Sequence, residues 1–195
     1  MKYNHAEKLI LTDCDGVLMN WEYAFITWMQ RKGFELINNT CYDVGKRFGM
    51  EKSESKKYVR MFNESAAIGF LPPLRDAMYY VDLLHRKHGY VFHMITSLSN
   101  DPQAQELRIA NTKKLFGETA FEKFVFLDTG ADKDDELSEY KNSYLPWIED
   151  KPENAETGAN MGLESLLIEH SHNMDCKEFH LFKDWKSVYQ HITGD

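Results

Sequence analysis

The chain has 195 residues, of which 43% are hydrophobic and 13% aromatic, so it can bury a substantial core as one domain with at most a modest insertion. Lys and Arg number 23 against 31 Asp and Glu, a net charge of −8, which argues against a protein that coats nucleic-acid polymers or anionic membranes. A small anionic substrate remains compatible with this total, because local charge can oppose it.

The N-terminal residues and the cysteines bear on the cellular compartment. Residues 1–8 lack the apolar run of a signal peptide, and no later run is long enough to span a bilayer. Cys14, Cys41 and Cys176 form no C-x-x-C pair and are odd in number, which argues against a disulfide framework and a structural zinc site. We therefore expect a cytoplasmic protein with reduced thiols and no membrane partner.

Short apolar runs alternate with helix-length segments along most of the chain. The first run, residues 8–12, predicts a buried strand that ends at Asp13-Cys-Asp-Gly16, where glycine permits a sharp turn. Comparable runs follow at residues 90–96, 124–127, 144–148 and 165–168. The predicted helices are residues 73–87, 101–116, 152–161 and 184–192. This alternation predicts an α/β fold, a parallel sheet flanked by helices.

The segment from about residue 20 to residue 70 interrupts the alternation with consecutive helical patterns. Trp21, Phe25 and Trp28 fall at helical spacing, Gly33 ends that helix, and residues 51–67 offer another. We expect a helical cap at residues 19–70 inserted after the first strand, with residues 1–18 and 71–195 forming the catalytic core. Eight Lys and Arg against six Asp and Glu give the cap a net charge of +2, so the core carries −10.

Polar residues follow several of the predicted strands, at the edge where ligands bind in open parallel sheets. Asp13 and Asp15 lie two residues apart, so one can act as nucleophile and the other as an acid and then a base. Asp150, after a different strand, would complete an oxygen site for Mg²⁺ with Asp13 and a backbone carbonyl. A Thr96 hydroxyl and a lysine would hold phosphoryl oxygens.

In this order the motifs resemble those of the haloacid dehalogenase-like (HAD) hydrolases over nearly the whole chain. Asp13-Cys-Asp-Gly-Val-Leu18 is similar to the family's first motif, Thr96 to its second, Lys141 to its third and Glu149-Asp-Lys-Pro-Glu-Asn154 to its fourth. The predicted cap resembles the family's type 1 cap. The resemblance therefore implies a Rossmannoid parallel sheet with a helical cap after strand 1.

The resemblance also implies roles for individual residues. Asp13 would be the nucleophile that becomes an aspartyl-phosphate, and Asp15 the general acid and base. The implied phosphate-binding residues are Thr96, Ser97 and Lys141. The implied Mg²⁺ ligands are Asp13, the Asp15 backbone carbonyl and Asp150, with Glu149 and Asn154 as further candidates.

Two details narrow the class that the resemblance implies. Asp15 is the residue that the family's phosphatases carry and its dehalogenases lack. The residues of the first, second and fourth motifs, together with His170-Ser-His-Asn173 after a strand, are similar to those of the 5'(3')-deoxyribonucleotidase-like branch. We therefore expect a phosphomonoesterase acting on (deoxy)nucleoside 5'-monophosphates, with a small sugar or glycolate-type phosphatase, or a catalytically silent binding module, as alternatives.

Several assignments stay open at this point. Lys133 is a rival of Lys141, which is preferred because it directly precedes the strand that carries the fourth motif. Glu149 stands where the family commonly has Asp or Gly. Trp21, Phe25 and Trp28 could stack a nucleobase, although an aromatic stripe at helical spacing more often belongs to a core. The oligomeric state, and the choice between hydrolysis and phosphoryl transfer, are not decided by the sequence.

Overall fold

A computed structural model describes residues 6–194 as a single sheet flanked by helices. The strands are β1 (Leu9–Thr12), β2 (Val91–Ser97), β3 (Phe121–Leu127), β4 (Pro146–Glu149), β5 (Glu164–Ile168) and β6 (Leu181–Phe182). They pair in the order β3-β2-β1-β4-β5-β6, and every pairing is parallel. The predicted α/β fold with a parallel sheet is confirmed.

The helices of the described residues connect these strands. They are α1 (Trp21–Arg31), α2 (Val44–Phe48), α3 (Lys52–Asn63), a 3₁₀ helix (Ala66–Phe70), α4 (Ala77–Arg86), α5 (Pro102–Phe116), α6 (Asp134–Ser138), α7 (Pro152–Asn160) and α8 (Trp185–Thr193). The sequence pattern missed α2, α6 and β6, because elements of two to five residues are too short to show a period. None of the helices in residues 6–194 is both long and apolar enough to cross a membrane.

Strand β1 lies in the interior of the sheet and is buried along its length. Because side chains alternate along a strand, Ile10 joins the larger core with α4, α5 and α8. Leu9 and Leu11 join the smaller core with α6 and the strand residue Trp147. The carboxyl end of β1 is therefore fixed between two packed layers, and Asp13 follows it directly.

The segment between β1 and β2 is helical, as its pattern predicts. Its core is aromatic: Trp21 and Phe25 stack with ring centroids 4.6 Å apart, and Phe62 of α3 meets Phe25 edge-on at 5.3 Å. The aromatic stripe of α1 thus packs largely against α3. The domain boundaries at residues 18/19 and 70/71 stay a prediction.

Trp185 fixes the turn that follows the first motif. Its indole is fully buried, and its Nε1–H donates to the Val17 carbonyl at 2.8 Å. Asp184 caps α8 by accepting from the Ser187 amide. Helix α8 therefore braces the chain just beyond the Asp13–Asp15 turn.

We expect Trp185→Phe to lower the free energy of unfolding by about 1–3 kcal/mol, because the Val17 carbonyl would be left buried without a donor. Urea unfolding measures the change. Trp28→Phe is the matched control, since the half-buried Trp28 indole donates no hydrogen bond to a described residue. An equal or larger loss in the control would contradict this account of Trp185.

Candidate active site

Carboxylates from two neighbouring strands meet at the carboxyl edge of the sheet. Asp13 follows β1, while Glu149 ends β4 and Asp150 follows it. The Asp13 amide donates to the Ile148 carbonyl at 2.9 Å, which joins the two strand ends. Each of the three carboxylates brings one oxygen within 4.8 Å of the others.

Lys133 is the cation of this cluster. Its Nζ lies 2.9 Å from Asp13 Oδ2 and 2.7 Å from Glu149 Oε1, and its side chain is only 2% exposed. Burial alone would lower the pKa of Lys133, but the two carboxylates outweigh burial and raise it. Lys133 is therefore a charged, buried bridge between the ends of β1 and β4.

The sequence-based preference for Lys141 over Lys133 is wrong, because Lys133 lies at the carboxylates and Lys141 does not. Lys141 is exposed and does not line the cavity described below. It precedes β4 and therefore lies toward the amino end of that strand, whereas the carboxylates gather at the carboxyl ends. Lys133 comes after β3 and reaches the correct edge.

Glu149 uses both of its oxygens within the protein. Oε1 accepts from Lys133 and from Asn154 Nδ2 at 2.6 Å, and Oε2 accepts the amides of Asp150 and Lys151 at 2.6 and 2.8 Å. Four donors match the acceptor capacity of a carboxylate. Although burial opposes this, Lys133 and the hydrogen bonds lower the pKa of Glu149. The candidate metal residues Glu149 and Asn154 thus hold each other and Lys133 in place.

Asp15 is held by an arginine that the sequence reasoning missed. Arg108 of α5 is fully buried, and its guanidinium reaches Asp15 Oδ1 at 2.5 Å and Oδ2 at 3.3 Å. Burial by itself would lower the pKa of Arg108, but Asp15 outweighs it and raises the value. The sequence offers only a weak indication of this role. Ala104, Arg108 and Thr112 recur every four residues, so they share one face of α5, and the structure shows that this face is buried.

Cys14, between the two aspartates, is a packing residue of the larger core. Its thiol is fully buried and accepts from Arg108 at 2.8 Å. Burial raises the pKa of Cys14 to about 12, so the thiolate is disfavoured.

Thr96 and Ser97 end β2 beside the carboxylates, and both line the cavity. Ser97 Oγ donates to the Ala131 carbonyl at 2.8 Å, which ties it to the loop that leads to Lys133. The Thr96 hydroxyl is buried and has no hydrogen-bond partner among the described residues. A buried hydroxyl without a partner is costly, so Thr96 is open to a ligand oxygen.

Gly16 allows the first and fourth motifs to approach each other. Its φ is +79°, and a Cβ at this position would lie 2.4 Å from Asp150 Oδ2. Any side chain would therefore displace the Asp150 carboxylate.

The loop after β5 supports the same edge of the sheet. Asn173 donates to the Ile168 and Asp150 carbonyls at 2.7 and 2.8 Å. His170 and His172 stack with centroids 5.4 Å apart, and their Nε2 atoms donate to the Gly16 and Asp150 carbonyls. Because burial lowers the pKa of His170 to about 4, it is neutral near pH 7. These side chains support backbone at the site.

The donor set fits a hard cation. Burial raises the pKa of Asp13 from 3.8 to about 6, and burial with the Glu149 and Asp13 charges raises the pKa of Asp150 well above its usual value. None of the described residues donates a hydrogen bond to the Asp15 carbonyl. Two carboxylates whose negative charge lacks full compensation and a free carbonyl are the oxygen ligands that Mg²⁺ prefers.

A cavity of about 550 Å³ opens above these residues and is roofed by the helical segment. Trp21 and Phe25 line it, but Phe25 is only 1% exposed. Trp28 does not line it: its ring packs against Phe62 at 5.5 Å, and Lys32 Nζ lies 4.2 Å from its centroid. Of the three aromatic residues predicted to contact substrate, Trp21 and Phe25 therefore line the cavity and Trp28 does not; the contact itself stays a prediction.

Tyr42, in the loop before α2, is a cavity residue that the sequence pattern did not identify. Its ring meets the His172 ring at 4.9 Å, although the residue is 58% exposed. Tyr42 therefore brings the helical segment into contact with the loop after β5 at the mouth of the cavity.

Several solved structures with this architecture are haloacid dehalogenase-like hydrolases, and the fold of this chain is the HAD-like fold. One such hydrolase from Streptococcus pneumoniae is 14% identical, with a TM-score of 0.66 over 95% of this chain and 98% of that one. A HAD-hydrolase of Bacillus subtilis bound to magnesium is 14% identical, with a TM-score of 0.60 over 98% and 99%. D,D-heptose 1,7-bisphosphate phosphatase from Burkholderia thailandensis is 11% identical, with a TM-score of 0.58 over 97% and 100%.

In sequence, the chain matches no protein-family model. It is 26% identical over 142 residues, 69% of its length, to an uncharacterized 32.4 kDa protein of Enterobacteria phage T4 from the Gp30-rIII intergenic region. The match covers 50% of that relative, so the chain spans about half the length of the curated protein that it resembles.

We expect Lys133→Met to destabilise the protein by about 3–5 kcal/mol, because it leaves Asp13 and Glu149 buried without their cation. Lys141→Met, which removes an exposed lysine, should change stability by less than about 0.5 kcal/mol. Urea unfolding near pH 7.5 compares the two. Equal effects would show that Lys133 does not stabilise the strand ends.

We expect Mg²⁺ to raise the melting temperature more at about pH 7.5 than at about pH 5. The raised pKa of Asp13, about 6, means that its proton stabilises the folded state at low pH and that this contribution is lost as pH rises through 6. At pH 5 protons therefore compete with the metal, while at pH 7.5 the metal replaces them.

Thermal unfolding in Mg²⁺ and in a chelator, at both pH values, measures this difference. Asp150→Asn removes one ligand and should reduce the gain at both pH values. A gain that is equal at the two pH values, or larger at pH 5, would contradict the assignment of Asp13.

Proposed function

We propose that the protein is a Mg²⁺-dependent phosphomonoesterase that acts through an aspartyl-phosphate on Asp13. The observation that carries the proposal is the arrangement of Asp13 and Asp15 at the end of β1, beside the unpartnered hydroxyl of Thr96 on the neighbouring strand β2. The HAD-like fold supports it, since one solved protein of this fold is bound to magnesium and another is a bisphosphate phosphatase.

In the first half-reaction the Asp13 carboxylate attacks phosphorus and the bond to the leaving oxygen breaks. Asp15 gives that oxygen its proton. In the second half-reaction Asp15 takes a proton from water as the water oxygen attacks phosphorus. The Asp13–phosphorus bond breaks, and inorganic phosphate and the free carboxylate result.

The surrounding residues position these two carboxylates and the transferred group. Lys133 holds Asp13 Oδ2 and offsets its charge, and Arg108 fixes the direction of the Asp15 carboxylate. The Thr96 hydroxyl is placed to donate to a phosphoryl oxygen. Mg²⁺, held by Asp13, Asp150 and the Asp15 carbonyl, would supply positive charge to the phosphoryl oxygens as negative charge spreads over them.

For the substrate we propose a small phosphorylated metabolite of the cytoplasm. Our first choice is a (deoxy)nucleoside 5'-monophosphate. The resemblance of the motifs to the deoxyribonucleotidase-like branch supports this choice, and Trp21 lies on the cavity wall where a base could stack. A cavity of about 550 Å³ has the size of sites for ligands larger than phosphate itself. A sugar phosphate is the alternative, favoured by the likeness in fold to a heptose bisphosphate phosphatase.

The proposal predicts phosphate release from at least one member of a panel of nucleotide and sugar phosphates. A chelator should abolish the release and Mg²⁺ should restore it. Asp13→Asn should lower turnover about a thousandfold or more, because the nucleophile is lost. Asp82→Asn, an aspartate of α4 outside the cavity, is the control and should retain activity.

Release that survives the chelator, or that Asp13→Asn leaves intact, would refute the proposed mechanism. Tight ligand binding with no release by the wild-type protein would favour the alternative of a catalytically silent binding module.

A further inference from the structure

We propose that the substrate carries a second negatively charged group, a phosphate or a carboxylate, which Lys52 and Lys56 bind on the roof of the cavity. This inference rests on the proposed function and adds to it the charge of the part of the substrate that is not transferred. It follows from how the cations of α3 are distributed over the cavity wall.

One face of α3 presents cations to the cavity at a regular interval. Lys52, Lys56 and Arg60 are separated by four residues each, so they lie in a row along one side of the helix. All three line the cavity. Lys57, which the same helix carries one residue further along, does not line it.

Two of the basic residues on the roof are already neutralised. Arg47 Nη1 lies 2.6 Å from Glu22 Oε1, and Arg60 Nη2 lies 3.1 Å from Asp128 Oδ2. Among the described residues of the helical segment, Asp43 is the only other acidic residue that lines the cavity, and it accepts the Lys46 amide as the cap of α2.

Lys52 and Lys56 differ from these arginines because neither has an ion pair with a residue in the described part of the chain. The roof therefore offers two positive charges that the protein itself does not use.

The position of Lys52 is unfavourable for the helix alone. It is the first residue of α3, where the helix dipole favours negative charge, and the preceding Glu51 makes no capping hydrogen bond. A bound anion would interact well with both Lys52 and the free amides at this end of the helix.

The transferred phosphoryl group does not require these lysines. It would lie at the opposite wall, at Asp13 and Thr96, where Lys133 is the protein's own cation and the oxygen ligands fit Mg²⁺. The cavity is larger than one phosphate, so a second anionic group of the same substrate can reach α3.

The test compares esters that differ only in the second charged group. One pair is a nucleoside 5'-monophosphate and the corresponding 3',5'-bisphosphate; another is fructose 6-phosphate and fructose 1,6-bisphosphate. Glucitol 6-phosphate and 6-phosphogluconate form a third pair, both open-chain, in which a carboxylate replaces a CH2OH group. For each pair the measured quantity is the ratio of kcat/KM for the doubly charged ester to that for its partner.

In the wild-type protein we expect this ratio to be well above one for at least one pair. The double variant Lys52→Gln/Lys56→Gln should lower it about tenfold, since each exposed charge pair contributes up to about fivefold. Lys57→Gln is the matched control on the same helix and should leave the ratio unchanged. If the kcat/KM ratio exceeds one in the phosphate pairs, the second group is a phosphate; if it exceeds one in the carboxylate pair, the second group is a carboxylate.

Two results would overturn the inference: a ratio that the double variant leaves unchanged, or a ratio that Lys57→Gln lowers as much as the double variant does. The second result would mean diffuse attraction by the surface of α3 rather than a site.

Binding to the Asp13→Asn protein separates this inference from the proposed function. Calorimetric titration with fructose 1,6-bisphosphate, and with the nucleoside bisphosphate, should show binding that the double lysine variant weakens about tenfold. If the wild-type protein hydrolyses none of the esters but this binding is found, the phosphatase proposal fails and the anion site stands. If hydrolysis is found but binding does not depend on the two lysines, only the anion site fails.

Discussion

The buried bridge from Asp13 through Lys133 to Glu149 is the interaction on which the rest of the site depends. Two carboxylates placed side by side in a core would repel each other and lack solvation, and Lys133 supplies the compensating charge at 2.9 and 2.7 Å. Because Asp13 follows β1 and Glu149 ends β4, the same ammonium holds together the two strand ends that form the floor of the cavity.

Hydrogen bonds from Glu149 position the residues that follow it in the chain. Its Oε2 accepts the amides of Asp150 and Lys151, which turns the chain so that the Asp150 carboxylate faces Gly16. Asn173 and His172 then hold the Asp150 carbonyl from the loop after β5. Position 149 is Glu in this chain, where the fourth motif commonly has Asp or Gly. The longer Glu side chain has a structural role here, because it reaches Lys133 while the backbone turns away.

The sequence allowed the sheet, and the residues that directly follow its strands, to be predicted. The meeting of Asp13, Thr96 and Asp150 at one edge could be predicted because the carboxyl ends of parallel strands share that edge. Lys133 was named only as the second choice for the lysine and Arg108 was missed, because a loop and a helix face bring these two residues to the site and no motif marks how far they reach. Lys141 was preferred by its closeness to β4 in sequence, which placed it at the opposite end of that strand.

The packing of Trp147 gives the floor of the cavity an optical property. Its indole is fully buried, lies 5.0 Å from Lys133 Nζ and donates to the Asn154 carbonyl at 3.1 Å. Trp185 is equally buried but touches the turn behind Asp13, and Trp21 lies on the roof. The quantum yield of an indole depends on charges near the ring, so a ligand that shifts Lys133 changes the emission of Trp147. Trp147 is therefore the one of the four tryptophans whose emission depends directly on the position of the Lys133 ammonium.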